Sequence, residues 1–168
     1  MDAPLKHWRR VAVVAVGGLR LIGFDHGSEL LLVISASGKG VVDCRTGMTV
    51  ARDPGDEDEG YLEAHGIGPL AGKTLPVFGV HGGKLPLSTD DGWSLVFDTG
   101  KWPATHIALV ETLVEHGPDY DEPFPRAPYI AHKIASEECL RACGFSYTGM
   151  SLVIATPADI TIYSRDRD

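Results

Sequence analysis

Three stretches of this chain resemble one another, and such repetition constrains a fold more than any single residue can. The first copy covers residues 23–44, the third covers residues 144–164, and a fainter middle copy covers residues 79–98. Each copy has a glycine-containing turn, an apolar segment of strand length, a second turn and a second apolar segment. The repetition therefore predicts a chain built from antiparallel hairpins.

The length and apolar content of the chain are those of one globular domain. Its 168 residues are 43% hydrophobic, so we expect a single domain over residues 1–168 with a sizeable core. The longest apolar runs, residues 11–16 and 30–34, are far shorter than the roughly 20 residues that a membrane-spanning helix needs. We therefore expect a cytoplasmic protein with no membrane partner.

The net charge of −8 restricts the partners that we expect the chain to bind. Nucleic-acid binding and docking on anionic lipid both depend on clustered lysine and arginine, so the acidic balance argues against both. Complementary charge instead favours a basic protein partner.

Apolar runs bounded by glycines predict the strands of the first copy. Residues 11–16 and 19–24 are two candidates with a tight turn at residues 17–18 between them, and residues 11–16 are expected to form a buried strand. Residues 30–34 are five consecutive aliphatic residues, which is typical of a strand covered on both faces. Two shorter strands are predicted within residues 41–51.

The sequence also predicts one or two short helical segments. Residues 136–143 have Ser136 as a candidate N-cap, two acidic residues in the first turn, and Gly144 directly afterwards as a stop signal. Residues 61–65 are a second candidate, as a single helical turn. Residues 107–114 fit either a helix or a buried strand.

We expect no metal and no cofactor. Cys139 and Cys143 would share one face of the predicted helix, and with His132 they would make part of a zinc site, but the fourth ligand has no source, so buried thiols are preferred. Residues 66–74 approach a phosphate-binding loop, yet the glycine spacing is wrong by one position. Residues 56–67 begin like an EF-hand loop and then lack its later ligands.

The third copy resembles a blade of the WD40-type β-propeller repeats. Such a blade has a strand ending in Phe-Ser, a turn, a strand of small and aliphatic residues, and a last strand. Those places are taken here by Phe145-Ser146 and by residues 147–149, 152–156 and 160–163. The first copy matches over Phe24, Gly27 and residues 31–35. The closing Trp-Asp of the family is replaced by Tyr163-Ser164 in the third copy and by Asp43-Cys44 in the first.

This resemblance implies a mainly β fold of propeller-like antiparallel blades, to which the sequence adds one or two short helices. The copies begin about 55 and 65 residues apart, which is long for a blade, and closed propellers have about four to eight blades. We therefore expect an open or partial propeller. The chain is also similar to small bacterial proteins with no established activity.

Two groups of residues are candidates for a binding surface. The first group lies in the middle copy and consists of His81, Asp90, Asp91 and Trp93, beside glycines that allow close backbone approach. A glycine-rich turn with the tryptophan in the core is the alternative interpretation. The second group is an acidic loop, which otherwise is a solvated loop. Its carboxylates are Asp53, Asp56, Glu57, Asp58 and Glu59.

Three functions are consistent with these features. The leading hypothesis is a protein-binding module, an inhibitor or immunity-type protein that uses acidic loops against a basic partner, because the chain carries no catalytic motif. The first alternative is a small hydrolase with a site at His81, Asp90, Asp91 and His106. The second is a structural subunit of a homo-oligomer, in which open sheet edges pair with another copy.

Overall fold

The computed structural model describes residues 7–55, 62–100, 102–112 and 129–166. Within these ranges the chain is mainly β, with antiparallel sheets, one 3-10 turn at Gly68–Leu70 and no α-helix. No helix in this part of the chain is long and apolar enough to cross a lipid bilayer.

Fourteen strands are formed by the described residues, and most follow apolar runs of the sequence. They are β1 (Arg9–Ala15), β2 (Leu19–Phe24), β3 (Leu30–Ser35), β4 (Gly38–Asp43), β5 (Met48–Asp53), β6 (Glu63–His65), β7 (Thr74–Pro76), β8 (Phe78–Gly79), β9 (Trp93–Asp98), β10 (Thr105–Thr112), β11 (Tyr129–Glu137), β12 (Ala142–Phe145), β13 (Ser151–Ala155) and β14 (Asp159–Ser164).

The described strands are arranged in four antiparallel sheets. The largest sheet has the order β5-β4-β3-β2-β8, and a second has the order β1-β14-β13-β12. A third sheet has the order β11-β10-β9, and β6 pairs with β7 alone. Among the described strands these sheets close neither a barrel nor a ring of blades.

The sheets pack face to face in four layers, with an apolar core at each of the three junctions. One core lies between the β9–β11 sheet and the β12–β14 sheet and includes Trp93 and Phe145. The next core lies between the β12–β14 sheet and the β2–β5 sheet and includes Phe24 and Ile160. The last core lies between the β2–β5 sheet and the β6–β7 pair and is centred on Leu70.

Strand β3 is buried on both faces because it lies in an inner layer. Successive strand residues point to opposite faces, so Leu31 and Val33 enter one core while Leu32 and Ile34 enter the next. The prediction for residues 30–34 is confirmed. Strand β13 is enclosed in the same way, with all five of its residues buried.

Strand β1 differs from its prediction in both pairing and burial. It pairs with β14, whereas β2 pairs with β3, so the expected hairpin around residues 17–18 is wrong. Gly18 has a φ of 64°, and there the chain passes from one sheet to the next. Because β1 lies at a sheet edge, Val13 is exposed and its neighbours are only partly buried.

Both helix predictions are wrong for the described residues. Residues 136–143 contain the end of β11, a short connection and the start of β12, and the described part of residues 61–65 contains β6. Residues 107–112 belong to a strand, which resolves that ambiguity in favour of β. In each case pairing with a neighbouring strand overrides the local helical pattern.

Cys139 and Cys143 are consequently not neighbours on a helix face. Cys139 is exposed in the connection, while Cys143 is buried in β12. Burial raises the pKa of the Cys143 thiol to about 12, so the thiol stays protonated. The described residues contain no group of three or more side chains arranged to hold a metal ion.

Candidate functional site

A cleft opens where the turn before β9 meets the residues that follow β14. We call it the Trp93 cleft, and its volume is about 530 Å³. It is lined by His7, Asp90, Asp91, Trp93, Glu111, Arg165 and Asp166.

A hydrogen-bonded turn fixes the acidic side of this cleft. The Thr89 N–H donates to the Trp93 carbonyl at 2.8 Å, and the Trp93 N–H donates to the Thr89 hydroxyl oxygen at 3.1 Å. The same hydroxyl donates to Asp91 Oδ1 at 2.6 Å. Gly92 completes the turn with a φ of 99°, a conformation that glycine adopts without strain. Asp91 is thereby held beside the buried Trp93.

Arg165 is the cationic centre of the Trp93 cleft. Its Nη2 donates to Asp91 Oδ1 at 2.7 Å, and its Nε donates to the Gly149 carbonyl at 2.9 Å. The guanidinium carbon lies 4.9 Å from the ring centroid of Trp8 and 5.9 Å from that of Trp93. A guanidinium over indole faces gains cation–π attraction in addition to its ion pair.

The Arg165 side chain keeps the Asp91 carboxyl ionised. The hydrogen bond from Arg165, more than any other interaction, holds the pKa of Asp91 down to about 2, and the Thr89 hydroxyl adds to the effect. Partial desolvation acts in the opposite direction and is outweighed. Asp91 and Arg165 therefore compensate each other's charge.

The other carboxylates of the Trp93 cleft have no such compensation. Asp90 and Asp166 are exposed and Glu111 is half-buried. None of the three forms an ion pair with a described residue. Because Arg165 already offsets Asp91, these three side chains give the cleft a surplus of negative charge beside an aromatic wall.

A second cleft adjoins the first and shares Arg165 and Asp166 with it. We call it the Glu29 cleft, and its volume is about 490 Å³. It is lined by Gly27, Ser28, Glu29, Leu30, Asp43, Arg45, Thr148, Met150, Ser164, Arg165 and Asp166.

The Glu29 cleft forms where equivalent turns of the first and third sequence copies meet. His26 and Tyr147, each two residues after the phenylalanine of its copy, stack with ring centroids 3.9 Å apart and planes 5° from parallel. The Thr148 hydroxyl donates to Glu29 Oε1 from one turn to the other. The corresponding turns of the first and third copies therefore contact each other directly.

The buried carboxylate of Asp25 stabilises the first of these turns, the one that contains Ser28 and Glu29. Lys73 Nζ donates to Asp25 Oδ1 at 2.8 Å, and the Ser28 hydroxyl donates to Asp25 Oδ2 at 2.6 Å. Burial by itself would raise the pKa of Asp25, but these two hydrogen bonds, the charge of Lys73 and the backbone N–H of His26 together outweigh it, so the pKa lies below its ordinary value. The interaction fixes Ser28 at the edge of the Glu29 cleft.

The structure brings together three of the residues predicted for the middle copy. Asp90, Asp91 and Trp93 line one cleft, with Trp93 buried and the two carboxylates exposed. His81 lies in an exposed turn after β8 and lines neither of the two clefts. That these residues bind a partner stays a prediction.

The predicted acidic loop falls largely beyond what the structure describes. Asp53 ends β5, is exposed, and its Oδ1 accepts a hydrogen bond from the Gly55 N–H at 2.9 Å. Asp56, Glu57, Asp58 and Glu59 lie outside the described residues. Asp53 lines neither the Trp93 cleft nor the Glu29 cleft.

Four of the seven residues that line the Trp93 cleft are not predicted from the sequence, namely His7, Glu111, Arg165 and Asp166. Arg165, which no motif of the sequence singles out, is buried against the rings of Trp8 and Trp93. Glu111 lies directly opposite Trp93 in the register of β9 and β10. Glu111 and Trp93 are far apart in sequence, so only the pairing of β9 with β10 shows that they are neighbours.

The two described clefts do not bring together the residues of the hydrolase alternative. His81 and His106 line neither of the two clefts, and Asp91 is committed to Arg165. The nitrogen Nδ1 of His106 is buried on β10 and has no hydrogen-bond partner within the described ranges of the chain. The hypothesis stays a prediction.

Fold and site together define an antiparallel, layered β protein with an acidic cleft built around a Trp–Arg–Trp cluster. Comparison with protein-family models, with curated proteins and with solved structures finds no match for this chain.

Proposed function

We propose that this chain is a protein-binding module, an inhibitor or immunity-type protein whose carboxylates engage a basic partner. The observation that carries the proposal is the Trp93 cleft, which is lined by three carboxylates that form no ion pair with a described residue. Surplus charge steers a partner of opposite sign, and the buried Trp93 holds the turn that carries Asp90 and Asp91 in place.

The rigidity of the cleft supports this proposal. Asp91 accepts hydrogen bonds from Thr89 and Arg165, and Arg165 is also held by Gly149, so the centre of the cleft is ordered before any partner arrives. A preorganised surface loses less conformational entropy on association. Asp90, Glu111 and Asp166 remain available for contacts with lysine or arginine side chains of the partner.

We further propose that the layered sheets are the blades of a partial, propeller-like repeat. The pairing of β1 with β14 joins the first strand to the last one, and the inner strands β3 and β13 occupy matching places in the first and third copies. Two turns of these copies meet at the Glu29 cleft. Turns gathered at one end of a stable β scaffold are a common place for binding residues.

The acidic loop is proposed as a second contact for the same partner. Asp53 is exposed at the edge of the β2–β5 sheet, and four further carboxylates follow it in sequence. If neutralising all five left partner affinity and its salt dependence unchanged, the loop would have no part in binding.

The function is tested by affinity capture from native lysate with mass spectrometry, followed by titration of the purified partner. We compare the wild type with a triple variant of the cleft, Asp90→Asn, Glu111→Gln and Asp166→Asn. The matched control removes the same charge outside both clefts, at Glu63, Asp98 and Glu138.

We expect a basic partner whose affinity falls at least tenfold in the cleft variant, with a weaker dependence on salt. The control should retain wild-type affinity, because generic charge removal far from the cleft is screened over about 8–10 Å. Equal losses in both variants would show non-specific attraction to an acidic surface. A partner bound equally well by all three proteins would overturn the role of the Trp93 cleft.

A further inference from the structure

The Glu29 carboxylate has one oxygen satisfied and one left without a donor. Glu29 is 9% exposed, and its Oε1 accepts the Thr148 hydroxyl. Its Oε2 is buried and has no hydrogen-bond partner among the described residues. A buried polar atom without a partner is unfavourable, so a group that donates to Oε2 would be stabilised there.

The surroundings of Glu29 favour a cationic donor. Asp43 and Asp166 line the same cleft, and the guanidinium of Arg165 is already engaged by Asp91 and by the Gly149 carbonyl. Arg45 also lines the cleft but is exposed. The buried part of the cleft therefore offers a carboxylate that no cation of the described residues compensates.

The geometry of the carboxylate distinguishes between kinds of cation. A guanidinium group is held best by both oxygens of a carboxylate, and Oε1 of Glu29 is already taken by Thr148. A hard metal ion would need several oxygen ligands, and the described residues contain no group of three candidate side chains. An ammonium group is compact and can be held through a single oxygen.

We propose that the Glu29 cleft binds one primary alkylammonium group, whose nitrogen donates to Glu29 Oε2 and whose aliphatic stem lies along Leu30 and Met150. Oε2 is covered in this structure, so an ammonium group reaches it only if a neighbouring side chain moves. Met150 lines the same cleft and is unbranched, so it can change rotamer without a change of backbone. The ammonium group comes either from a lysine of a protein partner or from a free alkylamine. This inference concerns the Glu29 cleft alone and does not depend on the Trp93 cleft.

The test is a calorimetric and NMR titration of the full chain with two probes. One probe is n-butylammonium chloride, and the other is Nα-acetyl-lysine N-methylamide. A third compound, n-butyltrimethylammonium chloride, keeps the charge and the stem but cannot donate a hydrogen bond. Each is titrated into the wild type, Glu29→Gln and the control Glu63→Gln, which removes an exposed carboxylate on β6.

We expect saturable binding of at least one primary ammonium probe, with chemical-shift changes at Ser28, Thr148 and Ser164. Affinity should fall at least tenfold in Glu29→Gln and for the trimethylated compound, and should be unchanged in Glu63→Gln. Tighter binding of the lysine derivative would identify a partner's side chain as the source, and tighter binding of butylammonium would identify a free amine.

Absence of saturable binding by either primary amine to the wild type would overturn the inference. So would equal affinity for the trimethylated compound, or wild-type affinity in Glu29→Gln. If Glu29→Gln does not fold, the wild-type shift map decides, because perturbations confined to residues outside the Glu29 cleft would also overturn the inference.

Discussion

At the scale of single residues, Arg165 connects more of the molecule than any other charged side chain described. It bonds to the turn that follows β12, to the turn that precedes β9, and to the ring of Trp8 before β1. Removing Asp91 would leave the buried guanidinium of Arg165 without its ion-pair partner, which costs more than the net stabilisation that the pair provides. Arg165 is therefore both the structural centre and the electrostatic centre of the Trp93 cleft.

The Asp91–Arg165 pair predicts a specific dependence of stability on pH. Arg165 lowers the pKa of folded Asp91 to about 2, below the ordinary 3.8 expected for the unfolded chain. A lowered carboxyl pKa stabilises the fold above the unfolded pKa and loses that effect as pH falls through the folded value. The contribution is thus complete above about pH 4 and disappears between about pH 4 and pH 2.

We expect the melting temperature of Asp91→Asn to fall less steeply than that of the wild type between pH 4 and pH 2. Arg165→Met should show the same shallow slope, because it removes the main cause of the lowered pKa. Thermal melts followed by circular dichroism at closely spaced pH values measure both slopes. Slopes equal to that of the wild type in both variants would refute the assignment.

At the scale of elements, strands β2 and β12 of the first and third copies depend on glycines at equivalent positions. Gly23 and Gly144 each precede the phenylalanine of a copy, and both lie against a proline-containing segment of the chain. A Cβ at Gly23 would overlap the Pro76 carbonyl, and one at Gly144 would overlap Leu85 and the Pro86 carbonyl. Each of these two copies therefore requires a glycine at this position, because a neighbouring backbone segment packs closely against it, in addition to its apolar pattern.

Gly144→Ala is predicted to destabilise the fold, whereas Gly27→Ala is not. The added methyl at Gly144 meets backbone and Cβ atoms that cannot rotate away, so we expect a loss of about 1–3 kcal/mol in the free energy of unfolding. A Cβ at Gly27 meets nothing within 4 Å, and its φ is outside the left-handed region.

Urea denaturation measures both glycine variants. Gly27→Ala should lie within about 0.5 kcal/mol of the wild type or slightly above it, because alanine restricts the unfolded chain. Equal stability of the two variants would contradict the close packing at Gly144.

At the scale of the whole molecule, distant parts of the sequence meet in one aromatic cluster. Trp8 is 3% exposed and packs against Trp93 at 6.0 Å and Phe145 at 5.6 Å between ring centroids. These residues belong to the segment before β1, to β9 and to β12. The cluster therefore links two layers of the stack to the residues that precede the first strand.

Trp8→Ala is predicted to lower the free energy of unfolding by about 3–5 kcal/mol, because it leaves a large cavity beneath Arg165. The control is Trp102→Ala, since Trp102 is 89% exposed and should change stability by less than about 0.5 kcal/mol. Chemical denaturation followed by circular dichroism avoids dependence on tryptophan fluorescence. A small effect of Trp8→Ala would show that the layers hold together without the cluster.

An open sheet edge offers a place where the molecule could associate with another copy of itself. Strand β5 ends the largest sheet and exposes Met48 and Val50, with β4 as its only partner among the described strands. Such an edge can pair with another chain. Self-association through it stays a prediction.

The sequence by itself determined the β character of the described chain and the burial of its inner strands. Uninterrupted aliphatic runs such as residues 30–34 can be satisfied only between two layers, and Gly47 with its positive φ marks the turn into β5. These features are local, because strand periodicity and turn chemistry involve residues only a few positions apart. They also placed Asp90, Asp91 and Trp93 together, since these lie in one turn.

The tertiary structure alone decided strand partners and the composition of the clefts. Nothing local shows that β1 joins β14, that Glu111 faces Trp93, or that Arg165 enters an aromatic pocket. Pairing energy comes from contacts across strands and layers, so it overrode the helical pattern of residues 136–143. The surplus charge of the Trp93 cleft, and the Glu29 oxygen that no described residue donates to, arise only when those distant segments are packed together.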